Sequence, residues 1–186
     1  MYDNILEIKD YNPEELLKKF DLFKAPINLI KLCKEIGIPV THGASLKKLY
    51  SGEISVDSDG DVNIWVNSMD HYNRQRFTLA HELGHLVNDI IPHIEEHKEI
   101  VFTDPATNFK RSGAAAIEEY EANEFAANLL MPKSLVVKEG KKIIKFLKNK
   151  SSRGKVSKSS FIEKMSEKFG VSEQAMEIRL KIVGII

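Results

Sequence analysis

Residues 77–85 of the chain read FTLAHELGH and contain two histidines, His81 and His85, four positions apart, with Glu82 directly after the first. Because residues i and i+4 lie one above the other on a helix, both imidazoles can reach a single metal ion. Glu82 is rotated away from that line but stays beside the metal position, where it can act as general base on a water molecule. The apolar residues around the motif favour a helix, predicted over 72–88. The pattern therefore predicts a catalytic zinc site.

A second helical pattern, predicted over 114–131, supplies the remaining part of such a site. A catalytic zinc site needs three protein ligands and one open position. Apolar residues at helical spacing around Ala122 and Phe125 give this helix an inward face, and Glu119, three residues before Ala122, falls on that face. Glu119 is therefore the predicted third ligand. Asn123, one turn after Glu119, is placed to orient a ligand from outside the metal shell.

Other glutamates of the same helix compete for the ligand role. Glu121 and Glu124 lie on the other side of the helix from Glu119, since each residue turns the helix by about 100°. Glu118 is adjacent to Glu119 in angle, so geometry leaves it open as an alternative, and Glu121 stays open as another. A further donor to the developing oxyanion is expected, and the candidates are His71, Tyr72 and Tyr120.

Taken together, these segments resemble the ImmA/IrrE family of bacterial metallo-endopeptidases. The resemblance is carried by residues 76–85 (RFTLAHELGH), 119–127 (EYEANEFAA) and 129–132 (LLMP), and it extends to 51–54, 64–67, 169–172 and 179–180. In that family, the two histidines and a glutamate of the second helix bind zinc, which carries over to His81, His85 and Glu119. The resemblance also makes Glu82 the catalytic base. It implies a cytoplasmic enzyme that cleaves a helix-turn-helix repressor encoded nearby, often on a mobile element or in a stress response.

The order of predicted elements indicates an α+β fold, with a small antiparallel or mixed sheet packed against a zincin-like helical core and C-terminal helices. A hairpin is predicted from strands over 54–56 and 62–66 around Ser58-Asp59-Gly60, because an Asp-Gly turn between alternating apolar residues favours that connection. Residues 1–148 are predicted to form the metalloprotease domain. Residues 149–186 are predicted to form a basic linker and a helical segment that packs on or beside it.

The amino-acid composition limits the classes of protein to which the chain can belong. A chain of 186 residues with 42% hydrophobic residues can bury one core, and it contains no apolar stretch long enough for a membrane span. The N-terminal residues lack the basic region and apolar run of a secretion signal. The single cysteine, Cys33, cannot form an internal disulfide, which is typical of a reducing compartment. We therefore expect a cytoplasmic protein without a membrane partner, and the sequence indicates no particular oligomeric state.

The net charge of zero conceals an asymmetry along the chain. Residues 133–186 contain 14 Lys and Arg against 5 Asp and Glu, whereas residues 1–132 contain 13 against 22. Such a split is typical either of a basic segment docked on an acidic body or of a surface for nucleic acid or an acidic partner. A helix-turn-helix pattern over 161–180 includes Arg179, but Met176 and Leu180 leave its second helix few polar positions for base contacts. Direct DNA binding is therefore not expected.

One other class of function remains as the alternative. In it, the protein is a non-catalytic regulator that binds DNA or a repressor through its basic C-terminal helices and holds a structural metal. A structural zinc site usually has four protein ligands, whereas the predicted set of three leaves an open position. The ligand set therefore favours the enzyme.

Overall fold

The structure, a computed structural model, describes residues 3–44, 50–57, 59–93, 100–105, 114–151 and 154–186. Its helices are α1 (Asp3–Leu6), α2 (Pro13–Lys19), α3 (Leu29–Glu35), α4 (Tyr72–His85), α5 (Ala114–Leu130), α6 (Lys133–Lys150), α7 (Lys158–Phe169) and α8 (Glu173–Val183). Its strands are β1 (Val40–Gly43), β2 (Tyr50–Val56), β3 (Val62–Asn67) and β4 (Ile100–Pro105). Residue 58 of the predicted turn and residues 152–153 of the predicted linker lie outside the described ranges.

The strands form one mixed sheet in the order β1-β3-β2-β4. The predicted hairpin is confirmed, since β2 and β3 pair antiparallel with Ile54 opposite Ile64. Gly60 in the connecting turn has φ 85°, a conformation that glycine adopts without the penalty other residues incur. Strand β1 runs parallel to β3, and β4 runs antiparallel to β2. The mixed sheet and the surrounding helices confirm the predicted α+β fold.

Helix α4 occupies the centre of the molecule. All of its residues from Thr78 to His85 are buried, as expected for a helix covered on every side. The regular α-helix ends at His85, three residues before the predicted end, and continues as a π-helical turn over Leu86–Ile90. Leu86 and Ile90 are fully buried and fix this turn in the core. The histidine motif therefore lies deep in the protein, followed by an irregular turn.

Helices α4 and α5 approach each other closely at one glycine. A Cβ atom on Gly84 would lie 2.8 Å from Cα of Ala122 and 2.9 Å from its carbonyl oxygen. No real Cβ contact is that short, so only glycine fits at this point on α4. The missing side chain lets the helix that carries the histidines approach the helix that carries Glu119.

The C-terminal helices share the core of the rest of the molecule. Phe161, Met165 and Phe169 of α7 and Met176 and Leu180 of α8 belong to the same buried cluster as the sheet and α4. Burial of these side chains stabilises the junction by roughly 1.5–3 kcal/mol for each large apolar group. The segment after residue 157 is therefore packed against the body through apolar contacts.

Two arginines strengthen this junction by donating to backbone carbonyls. Arg76 of α4 donates to the carbonyl of Gly170 at 3.0 Å and to that of Ile27 at 3.0 Å. Arg179 of α8 is only 7% exposed and donates to the carbonyl of Met131 at 2.8 Å. Its second donor reaches the side-chain oxygen of Asn128 at 2.7 Å. These bonds join α8 to the end of α5.

The lysines of residues 133–186, the basic segment, form no ion pair with residues 1–132, the acidic body, in the part of the chain that the structure describes. Their ion pairs are made with glutamates of the same segment: Lys142 and Lys168 with Glu139, Lys158 and Lys181 with Glu177, and Lys164 with Glu167. The contacts of α7 and α8 with the rest of the molecule include apolar packing and the hydrogen bonds of Arg76 and Arg179. The lysines remain at the surface.

Candidate metal centre

The two histidines of the motif face each other across one turn of α4. Both are 2% exposed, and their rings meet edge to face with centroids 4.6 Å apart. Nε2 of His81 lies 3.1 Å from Nε2 of His85. The helical spacing thus brings the two ring nitrogens together in a buried position, as the sequence predicted.

Helix α5 adds a carboxylate to this pair. Oε2 of Glu119 lies 3.6 Å from Nε2 of His81, and Oε1 lies 3.5 Å from Nε2 of His85. Among the described residues, the group of side chains that could hold a metal ion consists of His81, His85 and Glu119, with ligand atoms within 4.8 Å of one another. Glu121 is exposed and lines a different surface cleft beside Val87 and Asn88. The geometry therefore favours Glu119 over Glu121 and Glu118.

The spacing of the three donors suits a small four-coordinate ion. Ligand atoms bound tetrahedrally at the distances typical of zinc lie about 3.3–3.6 Å apart. The separations of 3.1, 3.5 and 3.6 Å are close to that range. The donors also fit chemically, because two imidazoles and a carboxylate are common ligands of zinc and of other divalent transition metals. The site can therefore hold a metal ion and leave a fourth position open.

Glu82 lies beside the cluster and is fully buried. Strand β2 passes directly over it at Gly52, where a Cβ atom would overlap with Cγ2 of Thr78 and lie 2.9 Å from Oε1 of Glu82. A side chain at position 52 would therefore collide with the carboxylate. The absence of a side chain at Gly52 allows the sheet to cover Glu82 and keeps that carboxylate beside the histidines.

The two histidines differ in their electrostatic surroundings. Burial lowers the pKa of His81 to about 4, assisted by the charge on His85 and opposed by that on Glu119. Burial also opposes a charge on His85, but hydrogen bonds with Asp89 and Glu119 outweigh it and raise its pKa to about 9. Neutral His81 therefore offers a lone pair, whereas His85 lies among carboxylates that favour a cation next to it. A metal ion competes with protons for these lone pairs.

Asp89 is a residue of this centre that the sequence analysis missed. Its Oδ2 lies 2.6 Å from Nδ1 of His85, on the side of the ring away from the cluster. The available signal was its position four residues after His85, which places both on one face of the helix. Asn123, the residue predicted to orient a ligand, donates to the backbone carbonyl of Glu119 at 2.7 Å. Its amide also lies close enough to His81 to raise that pKa slightly.

The candidates for an oxyanion donor are not equally placed. His71 caps the start of α4, and Tyr72 is the first residue of that helix. With a rise of 1.5 Å per residue, they lie about 14–15 Å along the axis from His81, beyond hydrogen-bonding reach. Tyr72 lines a separate groove with Pro26 and Arg76. Tyr120 is 66% exposed and directly follows Glu119. Of the three candidates, Tyr120 is the one adjacent in the chain to a residue of the cluster.

A buried pair of histidines and a carboxylate on two packed helices, with a glutamate beside them, is the arrangement of a metallopeptidase. The family model of Peptidase M78, described as the IrrE N-terminal-like domain, matches residues 33–181. The chain therefore belongs to this family of metallopeptidases, and the resemblance to the ImmA/IrrE family is confirmed. No curated protein matches the chain as a relative. None of the described helices combines the length and the apolar character required to span a membrane.

Proposed function

We propose that the protein is a zinc-dependent endopeptidase that hydrolyses a peptide bond of a protein substrate. In this proposal, His81, His85 and Glu119 hold the zinc ion, and Glu82 is the catalytic base. The observation that carries the proposal is the convergence of two imidazole nitrogens and a carboxylate within 4.8 Å, beside a buried glutamate. Family membership supports the reaction class.

The proposed chemistry divides between the ion and the side chains. When bound, zinc lowers the pKa of water to about 7 and polarises a carbonyl group. Glu82 accepts the proton of the attacking water and returns it to the leaving amine. Burial of Glu82 keeps its carboxylate fixed next to the histidines, so that little rearrangement is needed for proton transfer. Tyr120 is the proposed additional donor to the oxyanion.

We propose a helix-turn-helix transcriptional repressor as the substrate. Support for this choice comes from the ImmA/IrrE family alone, since the site residues do not distinguish one protein substrate from another. The same resemblance supports a cytoplasmic location and a role on a mobile element or in a stress response. The single cysteine, Cys33, is buried and free, which is compatible with a reducing compartment.

We also propose that residues 1–148 are the catalytic body and that residues 149–186 pack on it. The bonds of Arg179 to Met131 and Asn128 support this arrangement. They also weigh against the alternative of a DNA-binding regulator. Because Arg179 is buried and two of its nitrogens already donate to Met131 and Asn128, it is not available at the surface of α8 for base contacts. Direct DNA binding is therefore not part of the proposal.

Metal analysis tests the proposal. We expect the purified protein to contain about one zinc ion per chain after dialysis, because the three donors already lie at coordination spacing. His81→Ala should reduce the zinc content to background. His42→Ala is the matched control, since His42 is an exposed histidine of β1, and it should keep the full zinc content. Full zinc content in His81→Ala would contradict the assignment of the site.

A further inference from the structure

The side chain of Asp89 makes a close contact with one of the two histidines. Its Oδ2 lies 2.6 Å from Nδ1 of His85, and the two side chains are 10% and 3% exposed. A contact this short between a ring nitrogen and a carboxylate is a charge-assisted hydrogen bond, which is roughly twice as strong as a neutral one. Among the described residues, Nδ1 of His81 is buried and has no carboxylate partner of this kind, so the two histidines are held differently.

This hydrogen bond determines which nitrogen of His85 faces the cluster. A neutral imidazole carries its proton on one ring nitrogen and a lone pair on the other. A carboxylate accepts but does not donate, so Asp89 keeps the proton on Nδ1. Nε2 then directs its lone pair toward Nε2 of His81 at 3.1 Å and Oε1 of Glu119 at 3.5 Å. Asp89 thus orients the His85 ring through Nδ1, the nitrogen that faces away from the cluster.

The irregular turn after α4 holds Asp89 in place. Asp89 belongs to the π-helical turn Leu86–Ile90, whose first and last residues are fully buried. Such turns occur mostly as single insertions in helices and are frequent at functional sites. Asp89 contacts Nδ1 rather than Nε2 of His85, and the metal-capable group among the described residues does not include it. Asp89 therefore contacts the proposed ligand His85 and is not itself one of the proposed ligands.

We propose that Asp89 is a positioning residue that fixes the tautomer and ring orientation of His85 and thereby strengthens zinc binding. This inference rests on the proposed function, because it assumes that the cluster binds zinc. Partners of this kind typically contribute about 10–100-fold to metal affinity. Helix geometry alone aligns His81 and His85, but it does not determine which nitrogen of His85 carries the proton.

Zinc affinity and the tautomer of His85 test this role together. The zinc affinity of the wild type, Asp89→Ala and Asp89→Asn is measured by competition with a chromophoric chelator. We expect Asp89→Ala to bind zinc about 10–100-fold more weakly. Asp89→Asn should lose less, because its amide oxygen can still accept from Nδ1. Glu121→Gln, which removes a carboxylate from the exposed face of α5, should bind as the wild type does.

Nitrogen-15 NMR of the histidine rings in the zinc-free protein, recorded above the His85 pKa of about 9 so that the ring is neutral, provides a readout that a general loss of stability would not change. We expect His85 of the wild type to carry its proton on Nδ1, and this preference should be lost in Asp89→Ala. Should Asp89→Ala not fold, the same two measurements on Asp89→Asn decide, with a weaker zinc affinity and a weaker Nδ1 preference expected.

The outcomes separate this inference from the proposed function. If Asp89→Ala binds zinc within twofold of the wild type, or if His85 keeps the same tautomer in the variants, the positioning role of Asp89 is overturned while zinc binding stands. If the wild type itself binds no zinc, the proposed function fails first. A tautomer change together with weaker zinc binding supports Asp89 as the positioning residue.

Discussion

Glu119, rather than a neighbouring glutamate of α5, faces the two histidines, and helical geometry explains why. Residues two apart on a helix differ by about 200°, so Glu119 and Glu121 cannot both point at the same partner. The apolar face that includes Ala122 identifies the inward side, and Glu119 shares it. This residue could be predicted from the sequence because the rotation per residue is fixed and the buried face is marked by its apolar side chains.

Zinc binding by two α5 variants checks this choice. Glu119→Ala should weaken zinc binding by at least about 100-fold, since removal of a direct ligand costs more than removal of an outer partner. Glu121→Ala, an equivalent truncation on the exposed face, should leave the affinity within about twofold of the wild type. Full zinc affinity in Glu119→Ala together with loss in Glu121→Ala would overturn the assignment.

The contact of Asp89 with His85 is a feature of the site that could not be predicted from the sequence. The sequence indicates that it follows His85 by one turn, but many helical residues do so without making a contact. The close approach to Nδ1 also depends on the π-helical turn Leu86–Ile90, which replaces the end of the regular helix predicted over 72–88. Its formation depends on tertiary packing of Leu86 and Ile90, which helical periodicity does not describe.

Between elements, the approach of α4 to α5 at Gly84 brings the proposed ligands on the two helices within reach of one ion. A pattern of apolar residues shows that two helices pack, but it does not show how closely. The distance is set here by the contact of Gly84 with the backbone of Ala122. Residue 84 lies between the two histidines in sequence, so a change in this contact should affect both the stability and the metal site.

Gly84→Ala should therefore destabilise the protein by about 1–3 kcal/mol, the usual cost of overpacking, despite the better helix propensity of alanine. Gly140→Ala in α6 is the matched control, because its Cβ would meet Cζ of Phe161 at 3.4 Å, an ordinary contact. That variant should be neutral or more stable by up to about 1 kcal/mol. Urea unfolding measures both, and a Gly84→Ala variant as stable as the wild type would refute the close-packing argument.

The sheet shows a similar division between what was predicted and what was not. The hairpin of β2 and β3 could be predicted because an Asp-Gly turn and alternating apolar residues are local signals. The parallel pairing of β1 with β3 joins Val40 to Ile64 across a long sequence separation. Local patterns contain no information on such a register. The same reason explains why the passage of Gly52 over Glu82 was not predicted.

At the scale of the whole molecule, the charge asymmetry of the sequence does not correspond to a lysine–carboxylate ion pair between residues 133–186 and 1–132 among the described residues. Lysines of the basic segment pair with glutamates of the same segment in the described residues, and Arg76 and Arg179 connect it to the body through carbonyl groups. Composition indicated the two charged regions correctly. It could not indicate that apolar packing and two individual arginines, rather than the net charge, join them.

Cleavage by a Glu82→Gln variant tests most directly whether the protein is an enzyme that uses Glu82 as its base. The substitution preserves shape but removes the base, so the variant should keep its zinc and cleave more slowly by at least about 100-fold. The assay uses the proposed substrate, a helix-turn-helix repressor, with Glu121→Gln as a control that should cleave at the wild-type rate. Loss of cleavage with full zinc content is the predicted result. Cleavage by Glu82→Gln at the wild-type rate would contradict the account.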